Sequence, residues 1–191
     1  MHYPRRLITT MYTSELQHAA RILKQGGIVA YATEYCFGLG CDPFNRNAVL
    51  RLLRLKRRPV KKGLIVLAAD AGQLAPYIDD IPAQAAASWP GPHTWLLVPR
   101  NGVPGWITGR HEKIAARITA HCQAAALCHA AGMAIVSTSA NRSGESPART
   151  DREVARRFGK LVDYILPGHV GKAPAPTPIR DAATGRLVRT G

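Results

Sequence analysis

Lys56-Arg57-Arg58-Pro59-Val60-Lys61-Lys62-Gly63 is the stretch on which the fold turns. Upstream, residues 45–56 place Val49, Leu52 and Leu53 on one helical face and Arg46, Arg51 and Arg54 outward, with Asn45 or Asn47 available as cap. Pro59 forbids continuation of that helix. Downstream, residues 63–69 are an apolar run of strand length. A helix that empties through a basic turn into a buried strand is a unit of α/β architecture. Five of the eight quoted residues are cationic, and the interval between Asp42 and Asp70 holds eight Lys and Arg and no acidic residue. Such a block repels itself, so it is either a solvated basic loop or the seat of an anion.

Working outward, residues 14–25 predict a helix capped by Ser14, ended by Gly26-Gly27, and 28–32 a buried strand. Thr33-Glu34 then opens a Gly-rich turn over residues 37–43. Asp70 is expected to cap a helix containing Leu74 and Tyr77, and an Ala-rich helix follows Pro82. Trp89-Pro90-Gly91-Pro92 delivers His93 and Thr94 into a strand over 95–98. Strands at 114–118 and 133–138 flank an Ala-rich helix at 121–131. Thr150-Asp151-Arg152-Glu153 reads as a capping box. A strand at 162–166, a mobile Gly/Pro-rich segment at 168–178 and a hairpin around Ala183-Thr184-Gly185 complete the chain. The expectation is one open α/β domain over residues 1–191 with a twisted, mixed sheet; the strand order is not legible.

The chain has 191 residues, 46% of them hydrophobic and 20% charged, which excludes a disordered chain. Its 26 basic against 12 acidic residues give +14, a surface that attracts nucleotides, nucleic acid or anionic membrane. The cysteines, Cys36, Cys41, Cys122 and Cys128, fit neither zinc nor C-x-x-C redox spacing and read as buried thiols of a reducing cytosol. No paired histidines suggest a metal site. No signal-length run and no 18-residue apolar window is present, so a cytoplasmic protein without membrane attachment is expected.

Four polar clusters fall at predicted strand ends, where open α/β sheets hold ligands. They are residues 31–34, residues 56–58, Thr94, and residues 137–141. Hydroxyls after a strand often satisfy only local backbone groups, so each cluster alone is ambiguous. Neither a phosphate-binding P-loop, a G-x-G-x-x-G turn, a G-x-S-x-G elbow nor a close carboxylate pair occurs. What the clusters share is a basic pocket lined by hydroxyls and amides, suited to phosphate and carboxylate.

In that order the residues resemble the YrdC-type threonylcarbamoyl-AMP synthases, from about Thr13 to Gly191. The likeness rests on Tyr31-Ala32-Thr33-Glu34 with Phe37-Gly38-Leu39, on Leu55-Lys56-Arg57-Arg58-Pro59 with Lys62-Gly63-Leu64-Ile65, and on Trp89-Pro90-Gly91-Pro92-His93-Thr94. It continues through Ser137-Thr138-Ser139-Ala140-Asn141-Arg142-Ser143-Gly144 and the final Ile179-Arg180-Asp181 to Leu187-Val188-Arg189-Thr190-Gly191. The resemblance implies an open α/β fold around a large basic cavity. It implies formation of threonylcarbamoyl-AMP and pyrophosphate from L-threonine, bicarbonate and ATP, for the threonylcarbamoyladenosine modification beside the tRNA anticodon, installed by a separate transferase complex.

By the same resemblance Lys56, Arg58, Ser139, Asn141 and Arg189 hold ATP, with Lys56 and Arg58 as the catalytic cations. Thr33, Arg117, Ser137 and Thr177 hold threonine, and Tyr31 and Thr94 line the pocket. Mg2+ comes bound to phosphate, with no dedicated protein site, and tRNA contact is weak and electrostatic. Ala32 departs from the family's usual proline, and Leu67 from the histidine of longer members; with an end at Gly191 the chain looks like the short bacterial form. One further reading stays open, an RNA-binding module without nucleotidyl transfer, with a second basic face at Arg152, Arg156 and Arg157; a carbamoyl-transfer domain of hydrogenase maturation is disfavoured, because the zinc-finger cysteine motifs of those much larger chains are absent here.

Overall fold

The computed structural model describes the backbone of residues 5–190 and the side chains from residue 13 onward. The elements run α1 Arg5–Lys24, β1 Val29–Ala32, β2 Phe37–Gly40, α2 Arg46–Leu55, β3 Ile65–Ala68, α3 Ala83–Ser88 and β4 Thr94–Leu97. They continue as α4 Gly105–Thr108, β5 Ile114–Ile118, α5 Cys122–Ala131, β6 Ile135–Ser139, α6 Asp151–Phe158, β7 Tyr164–Ile165, β8 Ile179–Asp181 and β9 Leu187–Arg189. The strands form one mixed sheet in the order β7-β1-β2-β6-β3-β5-β4-β8-β9. The pairs β1/β7, β3/β5 and β4/β8 are parallel and the rest antiparallel.

Alternation along the strands sorts the side chains into two layers. One face sends Ala30, Leu39, Val66, Ala116 and Val136 into a core closed by α2 (Val49, Leu52, Leu53), α4 (Ile107) and α6 (Val154, Phe158). The opposite face sends Val29, Tyr31, Leu67 and Ile135 against Leu16, Ala19, Ala20 and Leu23 of α1 and Ala124, Leu127 and Cys128 of α5. Those two helices cover only part of that face. Two residues further along, the same rows reach Thr33 after β1, Ile65 on β3 and Ser137 on β6, beside Arg117 of β5, which lies opposite Leu67. Cross-strand partners share a face, and the register pairs Ile65 with Ser137 and Leu67 with both Ile135 and Arg117. The uncovered half of one sheet face is where the polar clusters collect.

The junction after α2 is tightly specified. Asn45 caps the helix, its side chain accepting from the Ala48 amide at 3.0 Å. At the other end Arg58 N–H donates to Leu53 O and Arg57 N–H to Arg54 O, a Schellman closure. The residue that must turn left-handed there is Arg57, at φ 51°. An L-residue with a Cβ is strained in that region by about 1–2 kcal/mol. Arg57→Gly is therefore expected to raise the unfolding free energy by about 1 kcal/mol in urea denaturation.

Several expectations need correction. α1 passes through Ser14, whose hydroxyl thus does not mark a helix start. Residues 37–40 are a strand rather than a turn. The aromatic ring of Tyr31 lies across β2, and a Cβ at Gly40 would come within 2.9 Å of it and 2.8 Å of Val136 O. The helix expected around Leu74 and Tyr77 is a single 3-10 turn, Gly72–Leu74, although Asp70 does accept from the Gln73 amide. In α6, Thr150 accepts from the Glu153 amide at 3.2 Å, while the Glu153 carboxylate accepts from Arg149 N–H, one residue before the cap.

Candidate functional site

A cavity of about 280 Å³ opens on the uncovered half of the sheet. Its walls come from distant parts of the chain: Thr33, Tyr35, Cys36 and Gly38; Arg58, Leu64 and Ile65; Arg117; Ser137, Thr138, Ser139 and Asn141; Pro147; Pro176 and Thr177; and Arg189. A shallower depression of about 200 Å³ adjoins it, sharing Arg58, Leu64, Ile65 and Arg189 and floored by Leu96, Ala115, Ile179 and Val188.

Three arginines meet on the main cavity. Arg58 is fixed by its own turn: Nε and Nη2 donate to Gly63 O at 3.2 and 2.8 Å, and Nη2 also to Lys62 O at 3.3 Å. Arg189 Nη2 donates to Thr177 O at 2.7 Å, and Arg117 Nη1 donates to the Thr177 hydroxyl. Burial, and then the neighbouring guanidinium in each case, lowers the pKa of Arg58 (beside Arg189) and of Arg189 (beside Arg117). Arg117 differs from the other two. Its side chain is only 8% exposed, and its Nη2 faces Glu34 Oε2 at 3.2 Å, the carboxylate being 11% exposed. Glu34 Oε1 in turn accepts from the Thr119 hydroxyl at 2.6 Å, and Arg117 Nε has no hydrogen-bond partner.

Lys56 lies behind this wall rather than on it. It is 4% exposed, and its ammonium donates to Ser139 O and, at 2.7 Å, to Asn141 O. The Ser139 hydroxyl donates to Asn141 Oδ1 at 2.5 Å, and Asn141 Nδ2 is anchored on Arg142 O and Glu145 O. Lys56 thus props the Ser139–Asn141 turn from beneath. Burial, reinforced by the Arg58 charge, pulls its pKa down to about 8.

That shift has a signed consequence. Between about pH 8 and the ordinary lysine value of 10.5, the unfolded chain holds the Lys56 proton more fully than the folded one, so this residue adds stability as pH rises. Three of the four cysteines are buried, whereas Cys122, expected to be buried too, is exposed; the buried thiols work the other way above their ordinary 9.0, because burial pushes Cys36 up to about 11 and Cys41 and Cys128 up to about 12. The difference in unfolding free energy between the unaltered chain and Lys56→Met isolates the lysine. It is expected to grow by on the order of 1 kcal/mol between pH 7.5 and 9.5 in urea titrations. A difference that is flat with pH would mean that the ammonium is not desolvated.

Of the residues singled out in the sequence, Thr33, Arg58, Arg117, Ser137, Ser139, Asn141, Thr177 and Arg189 converge on the cavity. Tyr31 and Thr94 do not line it. Tyr31 is fully buried under α1 and α5, its phenol raised well above the ordinary range by burial. Thr94 is 1% exposed, and its hydroxyl lacks a hydrogen-bond partner. The 168–178 segment, expected to be mobile, is pinned. Gly171 N–H donates to Thr33 O, Ala173 N–H to Glu34 O and Thr94 N–H to Pro178 O. Gln123 grips its start, bonding Ala32 N–H and Pro167 O. A Cβ at Gly171 would lie 2.7 Å from Glu34 O, so only glycine permits this approach.

Tyr35, Cys36 and the prolines of the wall carried no readable signal, and Glu34, although inside a cluster, gave no sign of its partner. Among the described residues no group of three His, Cys, Asp or Glu could hold a metal ion, and no helix is long and apolar enough to cross a membrane. The basic face of α6 is divided: Arg152 and Arg156 are exposed, while Arg157 donates to Ser146 O at 2.6 Å.

A profile of the Sua5/YciO/YrdC family, described as "Telomere recombination", matches residues 21–191. Proteins named threonylcarbamoyl-AMP synthase from Halorhodospira halophila and Alkalilimnicola ehrlichii are 52% and 54% identical over 91% of this chain and 93% of theirs. Among solved structures, P. abyssi Sua5 complexed with L-threonine superposes with a TM-score of 0.85 at 31% identity, over 91% of this chain and 53% of that one. E. coli YciO gives 0.80 at 27% identity, over 92% of this chain and 88% of that one. Full-length HypF, at 20% identity and TM-score 0.74, shares the fold alone and spans the match with 27% of its length. The chain is a member of the Sua5/YciO/YrdC family.

Proposed function

We propose that this chain is a threonylcarbamoyl-AMP synthase, a nucleotidyltransferase that makes L-threonylcarbamoyladenylate and pyrophosphate from L-threonine, bicarbonate and ATP. One observation carries the reading: Arg58, Arg117 and Arg189 converge with Thr33, Ser137, Ser139, Asn141 and Thr177 on one cavity. Relatives about half identical over nearly their whole length bear that name, and P. abyssi Sua5 was crystallised with L-threonine.

The residue types suit the chemistry. Threonine's amine and bicarbonate give a carbamate, whose oxygen attacks the α-phosphorus while pyrophosphate leaves. Both partners are anions, so their repulsion is the main obstacle, and fixed guanidinium groups with preorganised donors lower it. In this reading Arg58, Arg189, Ser139 and Asn141 hold the phosphates, with Lys56 bracing the Ser139–Asn141 turn from behind. The apolar floor of the adjoining depression suits a nucleobase. Thr33, Arg117, Ser137 and Thr177 hold threonine.

Glu34 faces Arg117 with one carboxylate oxygen and accepts from Thr119 with the other, and among the described residues no Asp or Glu lines the cavity. Mg2+ would arrive as part of the ATP, held by phosphate oxygens. A charge of +14 also supports weak, salt-sensitive contact with tRNA in the cytoplasm and a hand-over of the product to a tRNA-modifying complex.

The test is pyrophosphate release from ATP, assayed with each substrate omitted in turn. Release that requires threonine and bicarbonate together is the expected result. Steep salt-dependent RNA binding by a chain that binds neither ATP nor threonine in calorimetry would overturn it and favour an RNA-binding module.

A further inference from the structure

Among the arginines on the cavity, the ion pairs of the described residues single out Arg117: it has a carboxylate partner, and Arg58 and Arg189 have none. The Arg117–Glu34 pair is buried on both sides, and Thr119 holds the carboxylate in place from the side away from Arg117. The Thr119 hydroxyl is itself held by His121 N–H at 3.1 Å. The cavity therefore has two electrostatic halves. Around Arg58 and Arg189 the positive charge is uncompensated. Around Arg117 the guanidinium is present with its hydrogen-bonding edges, but its net charge is cancelled.

We infer that Glu34 determines which substrate enters the Arg117 half, by turning that subsite from a receptor for anions into a receptor for zwitterions. The inference rests on the assignment of Arg117 to threonine. A polyanion responds to net charge and is drawn to the Arg58–Arg189 half. An α-amino acid has no net charge but a large internal dipole, and a fixed pair of opposite charges attracts it without attracting phosphate. Bicarbonate, pyrophosphate and the ATP tail are all anions. Without Glu34, a bare Arg117 would compete for each of them and repel the threonine ammonium group. Glu34 acts through Arg117 and is a specificity-determining, positioning residue, since its Oε2 is sealed from the cavity.

The test uses the full chain and two probes, inorganic tripolyphosphate and 3-hydroxybutyrate (threonine without its amine). In the unaltered protein, tripolyphosphate should compete with ATP alone, and 3-hydroxybutyrate should bind at least 100-fold more weakly than threonine. In Glu34→Gln, the KM for threonine is expected to rise about tenfold with the KM for ATP within twofold. Both probes should then compete with threonine, with inhibition constants at least tenfold lower. Thr119→Val removes a hydrogen bond to Glu34 and keeps the charge, so it should leave the inhibition pattern unchanged; a merely structural role for Glu34 would make the two variants alike. If Glu34→Gln does not fold, 3-hydroxybutyrate decides on the unaltered chain, and binding within tenfold of threonine overturns the inference. Absence of threonine-dependent turnover in the unaltered protein would instead remove the reading beneath it.

Discussion

Arg117→Ala is expected to lower the unfolding free energy by about 3–5 kcal/mol and to end threonine-dependent pyrophosphate release. Removing one member of a buried ion pair leaves the other charge in a poorly solvated site. Here the survivor is Glu34, held on one oxygen by Thr119 and otherwise facing Arg117. The loss extends further, because Arg117 also holds the Thr177 hydroxyl and so helps fasten the 168–178 segment. Urea midpoints separate the two effects if Arg117→Met is combined with Glu34→Leu. Replacing a buried pair by apolar residues of similar size is often neutral, so the double variant should recover much of the stability and none of the threonine dependence. If the double variant is as unstable as Arg117→Ala, the burial of the pair is not what stabilises this region.

Arg58→Ala should leave the fold nearly intact and reduce kcat/KM for ATP at least tenfold. Arg58 spends Nε and Nη2 on the carbonyls of its own turn, which fixes the plane of the guanidinium and leaves Nη1 for a ligand. A hydrogen bond to a charged group contributes about 1.5–3 kcal/mol, which corresponds to roughly 10- to 150-fold in affinity. Arg58→Lys should fail to rescue, since one ammonium cannot both bind Gly63 O and present a planar fork to phosphate. Near-normal turnover in both variants, measured as pyrophosphate release over a range of ATP concentrations, would sink the assignment of phosphate to this side of the cavity.

How far residues alone foretell this arrangement depends on whether their signal is local. Asn45 capping α2, Pro59 ending it, β5 at Ile114–Ile118 and the Thr150 cap of α6 all follow from neighbours in sequence, and all are present. The local pattern at Phe37–Gly40 points to a turn, because glycine ordinarily marks one, yet the segment is a strand. Its glycines instead make room for the ring of Tyr31 on the next strand, a tertiary reason invisible in the local pattern. The same limit applies to the site. Residue types picked out Arg58, Ser137, Ser139 and Asn141, but their spacing could not say that Lys56 lies behind the turn it supports. Nor could it reveal Thr94 beneath the wall or the pairing of Glu34 with Arg117 across 83 positions of chain. Charge compensation is a property of the folded sheet, set by which strand neighbours which.

The position of β9 in the sheet order has a kinetic corollary. This three-residue strand pairs with β8 alone, and Leu187 and Val188 are 41% and 48% exposed, yet its last residue is Arg189. Backbone at such an edge exchanges its amide hydrogens through local fraying rather than global unfolding. Arg189 is thus presented by one of the two edge strands of the sheet, while Arg117 is presented by β5, which has strands on both sides. On warming, the Arg189 side of the cavity, proposed above to hold phosphate, should come apart while the Arg117 side is still assembled. Catalysis would then fade below the melting transition, with threonine still bound.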